Sequence, residues 1–201
     1  MLIALRNSVH IWSGEESQVI DIALEENGYY LIDLNWEKFD LIPTDQDHFT
    51  ESGFKSFCID FVNNLSGLKG KRILILCDST IDFWNYDENG NYTAYADGYL
   101  SMLLLKKDIR CVMDSVCGSG FVATPNFRSR LSNYDNNFFD VIIFVGGWND
   151  YSHIETVTQS IRNTGRTARQ KLIRKEDEIL KLPDVGIEPT ATGLKVLRST
   201  I

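Results

Sequence analysis

The apolar stretch RILILC, residues 72–77, decides the fold of this chain because its hydrophobic residues do not alternate with polar ones. A strand of this kind is buried on both faces, which is typical of parallel strands covered by helices. The stretch FFDVIIFVGG, residues 138–147, has the same character and is the strongest strand signal in the sequence. Both stretches predict central strands of a parallel sheet.

Three further strands and several helices follow from the pattern on either side of these stretches. Strands are predicted at 2–6, 29–34 and 109–113, and a polar loop at 86–92. Helices are indicated after Ser13-Gly14, over 52–65, in ADGYLSMLLLKK and from His153 onward, where Gly165 marks a weak point. The expected fold class is α/β, with a three-layer, flavodoxin-like, mostly parallel sheet and helices on both faces.

Length and composition favour one domain. The chain has 201 residues, of which 43% are hydrophobic and 24% charged. Such a composition supports a single globular core. We predict that residues 1–180 form this domain. The segment 181–201 has no clear period and is predicted to be an irregular tail.

Charge and hydrophobic run lengths exclude several kinds of partner. The net charge of −8 would repel a phosphate backbone, so nucleic acid is not expected as a partner. The sequence has no apolar run of membrane-spanning length and no signal-peptide layout at its start, so neither membrane association nor export is expected, and the location is predicted to be cytoplasmic. The four cysteines stand outside C-x-x-C pairs and are predicted to be buried thiols, with no metal site and no cofactor.

Small or polar residues follow three of the predicted strands, where ligand sites of open α/β sheets form. These residues are Asp78-Ser79, Gly118-Ser119-Gly120 and Gly147-Trp148-Asn149-Asp150. A fourth polar stretch, TDQDHFTESGF at 44–54, holds an Asp-x-x-His pattern at Asp45 and His48 and is interpreted as a turn before a helix. Its structural interpretation is a helix N-terminus capped by Thr50 or Ser52.

These residue types define one catalytic hypothesis. A serine hydroxyl needs a base to act as a nucleophile, and His48 is the candidate base for Ser79. Asp45 would hold the imidazole in the tautomer that accepts the serine proton. His10 has no carboxylate three residues before it, whereas Asp150 and His153 form a second Asp-x-x-His pattern without the sequence that follows His48.

Taken together, the Cys-Asp-Ser-Thr, VCGSGF, GGWND and DQDHFTESGF stretches resemble the four sequence blocks of the SGNH (GDSL-type) serine hydrolase family over residues 1–165. The resemblance implies a serine esterase. It also implies an oxyanion hole made by the main-chain N–H groups of Ser79 and Gly118 and the side-chain amide of Asn149.

Two features depart from that family. Cys77 stands where the family has a glycine, and the histidine block precedes the serine block instead of following it. A circular permutation explains this order, with 1–66 supplying the histidine part and 71–165 the Ser/Gly/Asn part. A chain holding parts of two tandem repeats explains it equally.

The expected activity is hydrolysis of small acyl esters through an acyl-enzyme, with O-acetyl carbohydrates as the preferred class. The aromatic residues that suit sugar stacking, or equally a core, are Trp84, Tyr86, Tyr92, Tyr95 and Trp148. A catalytically silent module that binds a glycan or a protein partner is the alternative. A phosphate-binding protein of similar architecture is disfavoured because Gly118-Ser119-Gly120 is not a phosphate-loop motif.

Overall fold

The computed structural model describes residues 1–6, 14–34, 38–43, 45–81, 83–86, 92–95, 97–134 and 139–172. The strands are β1 Leu2–Arg6, β2 Tyr29–Asp33, β3 Leu41–Ile42, β4 Asp45–Phe49, β5 Arg72–Cys77, β6 Phe83–Tyr86, β7 Tyr92–Tyr95, β8 Arg110–Ser115 and β9 Val141–Val145. The α-helices are α1 Gly14–Glu26, α2 Glu51–Asn64, α3 Asp97–Lys106, α4 Phe127–Leu131 and α5 Ile154–Lys171. Single 3₁₀ turns cover Ser66–Leu68, Ser132–Tyr134 and Trp148–His153.

Five parallel strands form the central sheet in the order β2-β1-β9-β5-β8. Counted from β5 as the first strand, and returning to β1 and β2 after β9, this order is 2-1-3-4-5. That is the order of flavodoxin-like doubly wound sheets. The expectation of an α/β fold with a parallel sheet is therefore confirmed.

Alternation along the strands gives the sheet two buried faces, because successive side chains of a strand point to opposite sides. On one face Ile73, Ile75 and Cys77 pack with residues of α2 and α3. On the other, Leu74 and Leu76 pack with residues of α1, α4 and α5. Helices thus cover both faces, as the unbroken apolar runs of β5 and β9 predict.

The first part of the chain belongs to the same sheet as β5. Strand β1 pairs with β9, and β9 pairs with β5. Leu65 and Leu68, which connect α2 to β5, are buried in the core on the α2 side of the sheet. Gly70 closes the connection with φ +75° and donates its N–H to the Asp108 carbonyl at 2.8 Å. Residues on both sides of 66–71 therefore share one core.

Two local predictions are corrected, the turn at 45–49 and the weak point at Gly165, and two features, the β6–β7 hairpin and helix α4, were not predicted. Residues 45–49 form a strand with β3 and not a turn. Strands β6 and β7 form an antiparallel hairpin on either side of the polar loop, and helix α4 lay outside the sequence prediction. Helix α5 runs through Gly165, where a Cβ would lie 3.1 Å from Tyr29 Oη, so this glycine permits close packing on β2. The predicted tail, 181–201, lies outside the described residues.

The described helices are short or amphipathic. None of them is long and apolar enough to cross a membrane.

Candidate functional site

The carboxyl ends of the parallel strands bring the polar segments to one edge of the sheet. Asp78 and Ser79 follow β5, the glycine segment 118–120 follows β8, and Gly146 and Gly147 follow β9. Strand β5 lies between β9 and β8, so Ser79 follows the middle of these three strands. This edge is where ligand sites of doubly wound sheets form.

Ser79 lies in a tight turn that the Asp78 carboxylate holds. Asp78 Oδ1 accepts the Thr80 main-chain N–H at 2.9 Å and the Thr80 hydroxyl at 2.5 Å. Such a hydrogen bond from an aspartate to the residue two positions on is the usual way in which this side chain stabilises a turn. Asp78 and Thr80 are buried, whereas Ser79 between them is only half-buried. The turn therefore keeps Ser79 at the surface of the sheet edge.

The Asp78 carboxyl carries an unusual charge environment. Its pKa is raised from the ordinary 3.8 to about 6, mainly by complete burial and slightly by the charge of Asp150, against the lowering effect of the Thr80 hydrogen bonds and the charge of His48. Desolvation disfavours the charged form of a carboxyl, which explains the direction. Gly146 provides the space for this group, since a Cβ at that position would lie 2.7 Å from Asp78 Oδ2.

Asn149 connects the serine turn to the glycine segment. Its Nδ2 donates to the Ser119 carbonyl at 2.9 Å and to Asp78 Oδ2 at 3.4 Å. The first distance is an ordinary hydrogen bond and the second is a long, weak one. One N–H of the amide is therefore firmly held, whereas the other has only a weak acceptor.

Asp150 anchors the glycine segment from the same 3₁₀ turn. Its buried carboxylate accepts the main-chain N–H groups of Phe121 at 2.6 Å, and of Val122 and Ala123 at 2.8 Å each. Gly120 lies so close that a Cβ would be 2.5 Å from Asp150 Oδ1. Gly118 has φ +74°, a conformation that favours glycine. The segment thus has a defined main-chain path.

His48 lies on β4 and interacts electrostatically with Asp78. In the antiparallel ladder, Ile42 pairs with Asp45 and the adjacent Leu41 pairs with Phe49. Residues 46–48 therefore have no partner in β3 and form a bulge. Bulges redirect side chains, and they often do so next to functional sites. The sequence predicts a turn here, and that prediction is wrong because the segment pairs with β3. The bulge makes this pairing irregular.

The segment that follows His48 is firmly held. Phe49 is fully buried and stacks on Phe57 of α2, with ring centroids 4.9 Å apart. Thr50 is the N-cap of α2 and accepts the Gly53 N–H at 3.1 Å, which confirms the predicted cap. His48 therefore directly precedes a well-packed segment.

The remaining predicted residues have different outcomes. Asp45 begins β4, and its side chain lies outside the described part of the structure. His153 is exposed, and the neighbouring Asp150 carboxylate is occupied by the amides of 121–123. Cys77, which stands where the SGNH family has a glycine, is completely buried in the core cluster of the α2 side.

Sequence reasoning missed a buried arginine beside this site. Arg130 of α4 donates to the Cys77 carbonyl at 2.9 Å, to Ser119 Oγ at 2.7 Å and to Asp114 Oδ1 at 2.8 Å. The signal was present in the spacing of Phe127, Arg130 and Leu131, which puts all three on one helix face. An arginine on an apolar helix face predicts a buried acidic or carbonyl partner, because a buried charge must be paired.

The described residues include no group of three or more histidine, cysteine or acidic side chains that is arranged to hold a metal ion. What the site offers is a half-buried hydroxyl, a histidine that interacts electrostatically with a buried carboxyl, and main-chain and amide N–H groups on the neighbouring loops. Comparisons with protein-family models, with curated proteins and with solved structures find no match to this chain.

Proposed function

We propose that this protein is a serine esterase of the SGNH (GDSL-type) kind that hydrolyses small acyl esters. The observation that carries the proposal is the set of contacts around Asp78, the residue before Ser79. Asp78 contacts Asn149, which donates to the carbonyl next to Gly118, and it interacts with the charge of His48. These contacts link segments that are distant in sequence and that the sequence assigns to one apparatus, and this linkage supports the proposal.

The sheet order supports a permuted form of the SGNH fold. Counting strands from β5 gives the doubly wound order 2-1-3-4-5, with β1 and β2 as the last two strands. Under this numbering the segment that carries His48 follows the last strand, which is where the family has its histidine. The connection through Leu65, Leu68 and Gly70 then joins the last helix to the first strand.

In the proposed reaction, Ser79 Oγ attacks the acyl carbon while its proton passes to His48. Collapse of the tetrahedral intermediate breaks the bond to the alcohol, which leaves with the proton from His48. Water then attacks the acyl-enzyme and gives a proton to His48. The bond between the acyl carbon and Ser79 Oγ breaks, His48 returns the proton to Ser79 Oγ, and the carboxylic acid is released. Asp45 orients His48 in this scheme.

Negative charge on the acyl oxygen is stabilised by N–H groups in the proposed site. These donors are the main-chain N–H groups of Ser79 and Gly118 and the Asn149 amide. The amide keeps its 2.9 Å bond to Ser119, and the N–H that is only weakly held at 3.4 Å is the one available to the oxyanion. Donors that are fixed before the reaction need no reorganisation in the transition state.

The hairpin of β6 and β7 favours an O-acetyl carbohydrate as the substrate class. Strand β6 lies next to β4, which carries His48, and Tyr86 pairs with Tyr92 across the hairpin. The sequence of these two strands is rich in aromatic residues, a residue type that stacks on the apolar face of sugar rings.

The test is hydrolysis of p-nitrophenyl acetate by the wild type, Ser79→Ala and His48→Ala. Each substitution is expected to lower kcat/KM by roughly 10²-fold or more, because nucleophile and base act as one unit. Two matched controls are available, His153→Ala and Ser56→Ala, both at exposed positions. Both should keep the wild-type rate.

Equal rates in the wild type, Ser79→Ala and His48→Ala would exclude this apparatus. The alternative, a catalytically silent module that binds a glycan or a protein partner, would then be favoured. A loss in His153→Ala instead of His48→Ala would move the base to the second Asp-x-x-His pattern.

A further inference from the structure

The Arg130 cluster, which comprises Arg130, Asp114, Ser119 and the Cys77 carbonyl, connects three segments at the sheet edge. Arg130 is 4% exposed, and its two terminal nitrogens reach the end of β5 at Cys77, the end of β8 at Asp114 and the glycine segment at Ser119. The Arg130 Nη2 group donates to the Asp114 main-chain carbonyl as well. Only a guanidinium has enough donors in one plane for such a set of acceptors.

The cluster extends through further hydrogen bonds on both sides. Ser119 Oγ accepts from Arg130 and donates to the Pro125 carbonyl at 2.6 Å. The Cys77 carbonyl also accepts the Val116 N–H at 3.0 Å. On the other side, burial, the negative charge of Asp114 and a hydrogen bond to it together raise the pKa of Tyr134 to about 12. Every member is therefore held by more than one contact.

Stability alone does not explain a buried ion pair at this position. Helix α4 also buries Phe127 and Leu131, so an apolar side chain would suit the same face. Buried ion pairs are often no more stabilising than apolar residues of similar volume, because desolvation offsets the attraction. In addition, Arg130 Nε has no hydrogen-bond partner among the described residues.

We propose that Arg130 is a positioning residue that fixes the Ser79 turn relative to the Gly118 segment. Its two acceptors flank those positions, since Cys77 is two residues before Ser79 and Ser119 directly follows Gly118. In an esterase these segments supply the two main-chain donors of the oxyanion hole, so the catalytic part of this inference rests on the proposed function. Small errors in donor position weaken transition-state binding more than substrate binding.

The experiment compares Arg130→Met and Arg130→Lys with Arg128→Met on the same helix. Arg128 is exposed, so its substitution controls for changes in α4 itself. With p-nitrophenyl acetate, both Arg130 variants should lose about 10²-fold in kcat, with KM within about threefold of the wild type. A further variant, Arg130→Ala, should regain part of the lost kcat when methylguanidinium is added, whereas Ser79→Ala should regain none.

Amide hydrogen exchange provides a second readout that does not depend on turnover. We expect faster exchange in Arg130→Met at residues 77–80 and 116–120, and unchanged exchange in β1 and β9. Unchanged exchange at 77–80 and 116–120 in the folded variant would overturn the proposal.

The two proposals can fail separately. Hydrolysis by the wild type that is unaltered in folded Arg130→Met would refute the positioning role and leave the esterase intact. A wild type without turnover would refute the esterase, and the exchange data would still decide whether Arg130 fixes the two segments. If kcat of the Arg130 variants falls only in proportion to the fraction of folded protein, Arg130 contributes to stability alone and the positioning role is refuted.

Discussion

The Asp150 carboxylate accepts the main-chain N–H of Phe121 at 2.6 Å, and these two residues join the end of β9 to the loop after β8. Two more amides, of Val122 and Ala123, donate to the same carboxylate. The Asp of the Gly-x-Asn-Asp stretch is therefore the group that holds the glycine segment, while its neighbour Asn149 reaches the serine turn.

We expect Asp150→Ala to lower the free energy of unfolding by about 3 kcal/mol or more, since buried amides would lose a charged acceptor. Asp150→Asn should cost less, because its amide oxygen still accepts hydrogen bonds. Urea unfolding of both variants measures the difference, with the exposed Glu155→Ala as the control. A cost below about 1 kcal/mol for Asp150→Ala would contradict the anchoring role assigned to this carboxylate.

Gly53 and Gly67 form a matched pair for testing the support of His48. A Cβ at Gly53 would overlap the Asp40 carbonyl oxygen, which also accepts the Thr50 N–H, whereas a Cβ at Gly67 has nothing within 4 Å. We expect Gly53→Ala to destabilise the protein by about 2 kcal/mol or more and Gly67→Ala to change stability by less than about 1 kcal/mol. Thermal unfolding checks this, and equal midpoints for the two variants would be the contrary result.

The raised pKa of Asp78 predicts a pH dependence of stability. The unfolded carboxyl loses its proton near pH 3.8 and the folded one near pH 6, so the wild type loses stability as pH rises between these values. The pKa difference corresponds to a loss of about 3 kcal/mol in the free energy of unfolding. This loss is complete above about pH 7 and absent below about pH 3.

Asp78→Asn removes this titration and keeps an oxygen acceptor for Thr80. Its stability relative to the wild type should therefore rise by about 3 kcal/mol between pH 3 and pH 7.5, as measured by urea unfolding at four pH values. Asp60→Asn on α2 serves as the control for a half-buried carboxyl. A stability difference that stays flat with pH would show that Asp78 is not a buried titrating group.

Cys77 tests whether a glycine would suit the end of β5 better. Its side chain is fully buried among core residues of the α2 side, so Cys77→Gly removes packing and adds main-chain entropy to the unfolded state. We expect a loss of about 2 kcal/mol in stability and hydrolysis by the folded fraction within about threefold of the wild type. The exposed Cys117→Ala is the stability control. A large gain in kcat would instead mean that Cys77 obstructs the site.

Much of the fold was predictable because local pattern is strong where burial is complete. The runs of β5 and β9 indicated central parallel strands, and the Phe54, Phe57 and Phe61 spacing indicated α2. The N-cap at Thr50 followed from the same logic. The β4 bulge was not predictable, because it depends on pairing with β3 and on the stacking of Phe49 with Phe57.

The candidate site was predictable in its segments and not in its connections. Small and polar residues after strands identified Ser79, Gly118 and Asn149 as candidates, since parallel strands end at one edge. Arg130, Asp114 and Thr80 were missed because their importance comes from buried hydrogen bonds between segments distant in the chain. Such contacts have no periodicity to detect.

The sequence by itself determined that this chain alternates strands and helices, that β5 and β9 are central, and which residues follow each strand. Those properties are local, because hydrophobic period and turn residues act over a few positions. Only the tertiary structure decided that β1 and β2 complete the sheet that carries β5, that the charge of His48 acts on Asp78, and that Arg130 joins the serine turn to the glycine segment. These relationships depend on strand order and on the satisfaction of buried charges, which are properties of the whole packed core.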